Sequence, residues 1–459
     1  MRVHSEFPTF GTYYLYDEQL IKRKDIQVIE KGDPKVVRAW VMYDWSNSVY
    51  QLTIASAIFP IYYNTVTRHG TDFMVSFFGF KVVNTALYSW AIAAAYLLVA
   101  VGSPLFSSMA DYTGRRKGFM RAFTIIGATG CGMLFFFDAN HIELGVISFA
   151  LGTFGYGGSI VFYNSFLPVI AEPQDQDRIS ARGYSMGYLG GVILLLFNLL
   201  MILRPELFGF DKQSDMPARI SFLSVFVWWI GFSTITFRYL PKYVFRKRSG
   251  RGRILTNGYR ELRNVFNEVR KSYRLSVYLI AFFFLMMGML TTMFMAATYG
   301  EKELGLNESI LIPTILMIQL VAMFGAWSFA RLSGKIGNLS ALIISVIVWI
   351  IICIYAFTIK GTAGFIIAAV FIGIVMGGSQ SLARSTYSKM LPQTTDHTSF
   401  FSFYDVMEKL ATVAGTFSFG IIEVMTGSMR FSVLAIAVFF VIGLFFLLLL
   451  LKREWSASA

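Results

Sequence analysis

The chain has 459 residues, of which 55% are hydrophobic, 17% aromatic and only 15% charged. Soluble domains carry about 25% charged residues, so the composition argues against an ordinary water-soluble fold. The net charge of +13 does not mark a nucleic-acid binder either, because the basic residues collect in alternate connections between apolar runs and not in one groove.

The first thirty-five residues contain no apolar signal-like run and read as a polar extension. Beyond them, twelve segments are apolar enough to cross roughly 30 Å of hydrocarbon as helices. They centre on residues 40–62, 86–108, 119–137, 143–170, 185–203, 219–238, 275–297, 310–331, 339–359, 363–388, 403–426 and 431–451. One set of connections holds Arg115, Arg116 and Lys117, then Arg178 and Arg182, then Arg331 and Lys335, then Lys389. The other set, with "RPELFGFDKQSDMP" and "EKELGLNES", is acidic or balanced. That asymmetry places the basic set and both termini in the cytoplasm, with a bacterial inner membrane as the expected location.

The predicted division is an extension at 1–35, a six-helix bundle at 36–238, a basic linker at 239–274, a second six-helix bundle at 275–452 and a tail at 453–459. The linker carries eleven Lys or Arg against Glu261 and Glu268, with an apolar stripe through Leu255, Tyr259, Leu262, Phe266, Val269 and Tyr273. Such a helix lies along the inner leaflet or packs on the bundle; the same pattern serves both. Cys131 and Cys353 sit in apolar runs without metal-like spacing, so neither a metal, a cofactor nor a disulfide framework is expected. "GGSIVFYNSFLP" in the fourth span and "GGSQSLARSTYSKMLP" in the tenth both run from paired glycines to Leu-Pro, a weak sign of duplication. Transporters built from repeats hold their site between the halves.

Three spans carry polar stripes. At 100° per residue, Asp44, Asn47, Ser48, Gln51 and Ala55 share one face of span one. Trp45, Val49 and Leu52 fall to one side of it. Asp405, Glu408, Lys409, Thr412 and Thr416 repeat that spacing in span eleven, and Gln380, Arg384 and Tyr387 align in span ten. Ionisable groups within a membrane usually face the bundle interior or a water-filled cavity and pair there. Asp44, Asn47, Gln51, Asn164 and Gln380 are therefore candidates for contacting a small-molecule substrate or a coupling proton or cation. Asp44 could equally pair with a cation from another span. Arg384 is expected to neutralise Asp405 as a gate, while Asp405 and Lys409 could be purely local i,i+4 support.

"SSMADYTGRRKGFM", between spans two and three, resembles the signature loop of the major facilitator superfamily. Asp111, Gly114, Arg115, Arg116 and Lys117 match it, with Ser107 in place of the leading glycine. The physical sense is a tight turn at Gly114 and a carboxylate at Asp111 that accepts hydrogen bonds from a neighbouring helix end. The alternative is a basic cluster that only fixes topology. After span eight, "ARLSGKIGN" has Gly334 where the acid would stand.

A narrower resemblance runs through "AWVMYDWSNS", "YNSFLPVIA", "RISARGYSMGYLGG", "QSLARSTYSKMLP" and "FFSFYDVMEKLATVAG". From about Pro34 onward the chain resembles the vacuole-effluxer-like, or unknown major facilitator, family. The resemblance implies an all-α membrane protein of twelve transmembrane helices in two pseudo-symmetric six-helix bundles. It also implies a secondary transporter, with export of amino acids from the vacuole associated with fungal members. The cytoplasmic gate candidates are then Asp111, Gly114, Arg115, Arg116, Arg182, Arg384, Asp405 and Lys409. Glu408 stands where a smaller or neutral residue is expected. An enzyme is disfavoured, because no H-E-x-x-H, G-x-S-x-G or G-x-x-x-x-G-K-[ST] motif occurs. The competing reading keeps the fold but makes it a lipid translocator or a transport-dead sensor.

Overall fold

The computed structural model describes residues 30–67, 74–241, 254–394 and 396–458. Most of the 1–35 extension and part of the 239–274 linker lie outside the described residues.

Span one starts where Asp33 accepts a hydrogen bond from the Lys35 amide (2.8 Å) and Pro34 opens the helix, a pairing that satisfies a free N-terminal donor. It runs as an α-helix over Pro34–Val49, widens into π-helix over Tyr50–Ile58 and returns to α-helix over Phe59–Thr67. A short antiparallel hairpin follows, β1 (Met74–Phe77) and β2 (Phe80–Val83), which the all-helical expectation lacked. Its turn places both Phe78 and Gly79 at positive φ, the twist that two-residue hairpin loops favour.

The next five spans are Asn84–Thr113, Arg116–Met133, Ile142–Asn164, Gln176–Leu203 and Met216–Tyr239. A linker helix, Ile254–Lys271, leads to spans seven to twelve at Tyr273–Leu304, Glu308–Ile336, Asn338–Thr358, Gly361–Met390, His397–Thr426 and Met429–Ser458. Helices are what a hydrocarbon solvent demands, since every backbone N–H and C=O must be satisfied within the segment.

Ten helices among the described residues are long and apolar enough to cross a membrane on those grounds alone. Spans one and eleven complete the twelve. They fall short because one is interrupted and polar and the other holds Asp405, Glu408 and Lys409. In the linker helix the buried seam runs through Val265 and Val269, and the helix packs on span two. Phe266, placed in the apolar stripe from sequence, is 51% exposed.

Within each half the helices approach through glycine. A Cβ on Gly155 would run into the backbone of Gly127 in span three, and one on Gly377 into the carbonyl of Ala322 in span eight. With no water to drive apolar surfaces together, close backbone packing of this kind supplies the dispersion contact that holds membrane helices. Between the halves, span five packs on spans eight and ten, and span two on span eleven.

These contacts give a direct test. Gly377→Ala meets rigid backbone and is expected to cost about 1–3 kcal/mol, as overpacking does. Gly420→Ala meets nothing within 4 Å among the described residues and is expected to be neutral or slightly stabilising. Thermal unfolding of the two purified variants in detergent separates them.

Candidate functional site

The site is built where spans one, four, five and ten meet, toward the end of the bundle that carries the basic connections. Arg384 of span ten is only 2% exposed, and its guanidinium reaches across to the other half. Nε donates to Ser180 Oγ (2.9 Å) and Nη2 to the Ser180 carbonyl (2.8 Å). Nη1 donates to Asp44 Oδ2 and to Asn164 Oδ1, both at 3.3 Å. Tyr163 completes the carboxylate by donating its hydroxyl to Asp44 Oδ2 (2.6 Å).

Aromatic rings wall this pair. The guanidinium carbon lies 4.1 Å from the ring centre of Tyr184 and 4.8 Å from that of Trp40. Trp40 in turn stacks on Tyr163 with centroids 4.4 Å apart and donates its indole N–H to the Tyr163 carbonyl. Trp40 and Asp44 stand one helical turn apart, so the "AWVMYDW" stretch presents a π face and a carboxylate to the same cation. Gly183 faces them from span five, where a Cβ would strike Asp44 Oδ2.

Beyond the pair, away from the basic end, lies a cavity of roughly 1200 Å³ of empty space that includes open solvent. Asp44, Ser48, Gln51 and Leu52 line it from span one, Asn164 from span four, Tyr184 and Tyr188 from span five, Gln380 and Arg384 from span ten. Span eleven contributes Glu408, Lys409 and Thr412, and Gln319 comes from span eight. On this second wall, Lys409 Nζ donates to Asp405 Oδ1 (3.0 Å) and to Glu408 Oε1 (3.1 Å).

Two further contacts join the halves at the basic end. Asp111 Oδ2 accepts from the Ser399 amide (2.7 Å) and hydroxyl (2.9 Å) at the start of span eleven, while Arg116 Nε donates to Asp111 Oδ1 (2.8 Å). A carboxylate there meets the unpaired donors and positive dipole end of a helix. Gly114 makes the turn possible by ending span two in the left-handed conformation at φ +68°. On the opposite flank Asp177, at the start of span five, accepts from Ser333 Oγ (2.9 Å), Asn338 Nδ2 (2.7 Å) and Lys389 Nζ (2.7 Å). The acid absent from "ARLSGKIGN" is thus supplied by the facing helix.

Several expectations are corrected. Arg384 binds Asp44, not Asp405, whose partner is Lys409; the alternative in which Asp44 pairs with a cation from another span is the one observed. Asn47 is buried but does not line the cavity, and Leu52 does. The cavity-facing direction of span one lies between Asp44 and Ser48, which puts Asn47 about 80° away. Arg115 and Arg182 are exposed and do not enter the site. Gln319, Ser180, Ser399 and Asp177 were missed from sequence. Gln319 alone carried a signal, as one amide inside "ILMIQLVAM"; the two serines and Asp177 act only through tertiary contact.

The family model for vacuole effluxer Atg22-like proteins matches residues 32–457. The chain belongs to that family. It is 27% identical over 410 residues to "Uncharacterized MFS-type transporter YxiO" of Bacillus subtilis, covering 89% of this chain and 93% of that protein. It is 22% identical to "Autophagy-related protein 22" of Yarrowia lipolytica, covering 82% and 77%. Among solved structures, the fold matches the major facilitator FucP in the outward conformation with a TM-score of 0.69 at 13% identity, covering 91% of this chain and 98% of that one. The human organic anion transporter MFSD10 matches at 0.71 and 12%, covering 91% and 100%. This Atg22-like protein is therefore an integral multi-pass membrane protein and a secondary transporter of the major facilitator fold, not an enzyme.

Removing one partner of a buried ion pair strands a charge and typically costs about 3–5 kcal/mol, whereas removing both does not. Asp44→Asn and Arg384→Gln are each expected to lower thermal stability in detergent. The double variant is expected to lose less than the sum, with a coupling of about 0.5–3 kcal/mol.

Proposed function

We propose that the protein exchanges small zwitterionic solutes, amino acids foremost, across the membrane by alternating access, with its basic end in the cytoplasm and closed in this state. The observation that carries the reading is the pairing of opposite charges around one cavity. Asp44 and Arg384 form its floor, and Glu408 and Lys409 part of its wall. A solute bearing both an ammonium and a carboxylate finds a counter-charge for each. The amides of Gln51, Asn164, Gln319 and Gln380 favour a polar solute over an acyl chain, which weighs against the lipid-translocator reading. The description of the family as vacuole effluxers favours export.

The gate follows from the same geometry. Arg384 ties span ten to spans one, four and five, so the halves cannot part at the basic end while Ser180, Asp44 and Asn164 hold it. A substrate carboxylate reaching the guanidinium from the cavity competes with Asp44 and so loosens that tie. Differential binding to the two states is what any ligand needs in order to shift such an equilibrium. The 2–11 contact at Asp111 and the 5–8 contact at Asp177 then set how far the halves rock.

The test is counterflow in proteoliposomes of purified protein, preloaded in turn with amino acids, sugars and nucleosides. We expect exchange of labelled amino acids and its loss in Asp44→Asn that still inserts and purifies normally. Exchange confined to sugars or nucleosides, movement of fluorescent phospholipid instead, or wild-type kinetics in Asp44→Asn would each overturn the reading.

A further inference from the structure

Spans one and ten bring a neutral sum to the cavity, because Asp44 and Arg384 cancel. Span eleven does not. Lys409 Nζ is shared between two carboxylates, Asp405 at 3.0 Å and Glu408 at 3.1 Å, so the three side chains together carry one surplus negative charge when all are ionised. Lys409 and Asp405 are buried, with side chains 9% and 3% exposed, and Glu408 is 29% exposed at the cavity wall. Asp405 Oδ2 is fully enclosed and accepts no hydrogen bond from the described residues. The ring of Tyr96 in span two stands 5.6 Å from the ammonium. Tyr156, Tyr184 and Tyr404 line the same cavity, with Arg384 beyond them already committed to Asp44. None of these brings a free positive charge to the triad.

An uncompensated charge at membrane depth costs about 2.5 kcal/mol or more. Two carboxylates on one ammonium are relieved most simply by one added proton, which belongs to the pair and not to either acid. We propose that Asp405, Glu408 and Lys409 form the coupling site of the transporter, holding one proton in the empty cavity and giving it up to cavity water when a substrate ammonium takes its place beside Glu408. At the triad the exchange balances: one carboxyl O–H breaks, the electron pair stays on the carboxylate, and the substrate ammonium takes over the proton's positive charge. Proton and substrate therefore compete for one charge, and transport is an antiport. This inference rests on the substrate reading above, and names the site and the co-ion within it.

Two measurements test it, one of which needs no substrate. In infrared spectra of the purified wild type, a protonated-carboxyl band is expected to persist at neutral pH, where exposed carboxylates are ionised. Glu408→Gln removes the surplus and is expected to abolish that band. Asp405→Asn is expected to do the same, and if that buried variant fails to fold, Glu408→Gln carries the test. In proteoliposomes held at zero membrane potential, a one-unit pH gradient coupled one to one sustains at most about tenfold accumulation, and either variant is expected to bring that ratio to about one. No neutral-pH band in the wild type, a band unchanged in Glu408→Gln, or accumulation driven by sodium but not by pH would overturn the proposal. A band lost in Glu408→Gln with no solute moved by the wild type would leave the protonation site standing and remove the substrate reading instead.

Discussion

Hydrocarbon tolerates a guanidinium only where its donors are taken up and its charge is met, and in this protein those partners belong to the opposite half of the molecule. Arg384 leaves span ten and spends its hydrogen bonds on Ser180, Asp44 and Asn164, which lie on spans five, one and four. The cost of burying the cation thereby becomes an attachment between the halves, at the centre of an end that the Asp111 and Asp177 contacts flank. Breaking a buried pair by withdrawing one partner costs several kcal/mol, so the halves part at this end only if something else satisfies the charges. The cavity beside the pair is where such a competitor would arrive.

The contacts on either side share this logic with different chemistry. Asp111 reaches the start of span eleven from the first half, and Asp177, also from the first half, reaches Ser333, Asn338 and Lys389 in the second. Pseudo-symmetry would place one acid on each half; here both are on the same one. The second half supplies helix-end donors to one acid and a lysine to the other. Both contacts sit at helix starts, where free N–H groups and the dipole favour a carboxylate, and both are less enclosed by aromatic rings than the Arg384 pair.

Much of this was legible from the sequence. Span count followed from run length against bilayer thickness, and the inward orientation of Asp44, Arg384, Asp405 and Lys409 followed from the expense of charge in lipid. The Asp111 contact followed from a loop with the right residues at the right spacing. What failed was partner choice. Arg384 and Asp405 sit on adjacent spans of one half, which made them natural mates on paper. The three-dimensional crossing puts Asp44 nearer, and Lys409 already holds Asp405 on its own helix. The error at Asn47 had a smaller cause: the cavity lies about 20° from the centre of the predicted stripe, on the side away from Asn47 at its edge. Ser180, Ser399 and Asp177 were not legible because hydroxyls and a helix-start acid look alike whether they face solvent or another helix.

The central claim is that the Arg384 pair holds the basic end shut. Spin labels at Arg178 in the first half and Lys335 in the second, both exposed, flank the seam that must open, and pulsed electron resonance reads the distance between them. The account requires one short distance distribution in the unliganded wild type and a longer, broader one when Arg384→Gln is introduced. An unchanged short distance in that variant would contradict it, because the closure would then be held by packing and the flanking contacts alone.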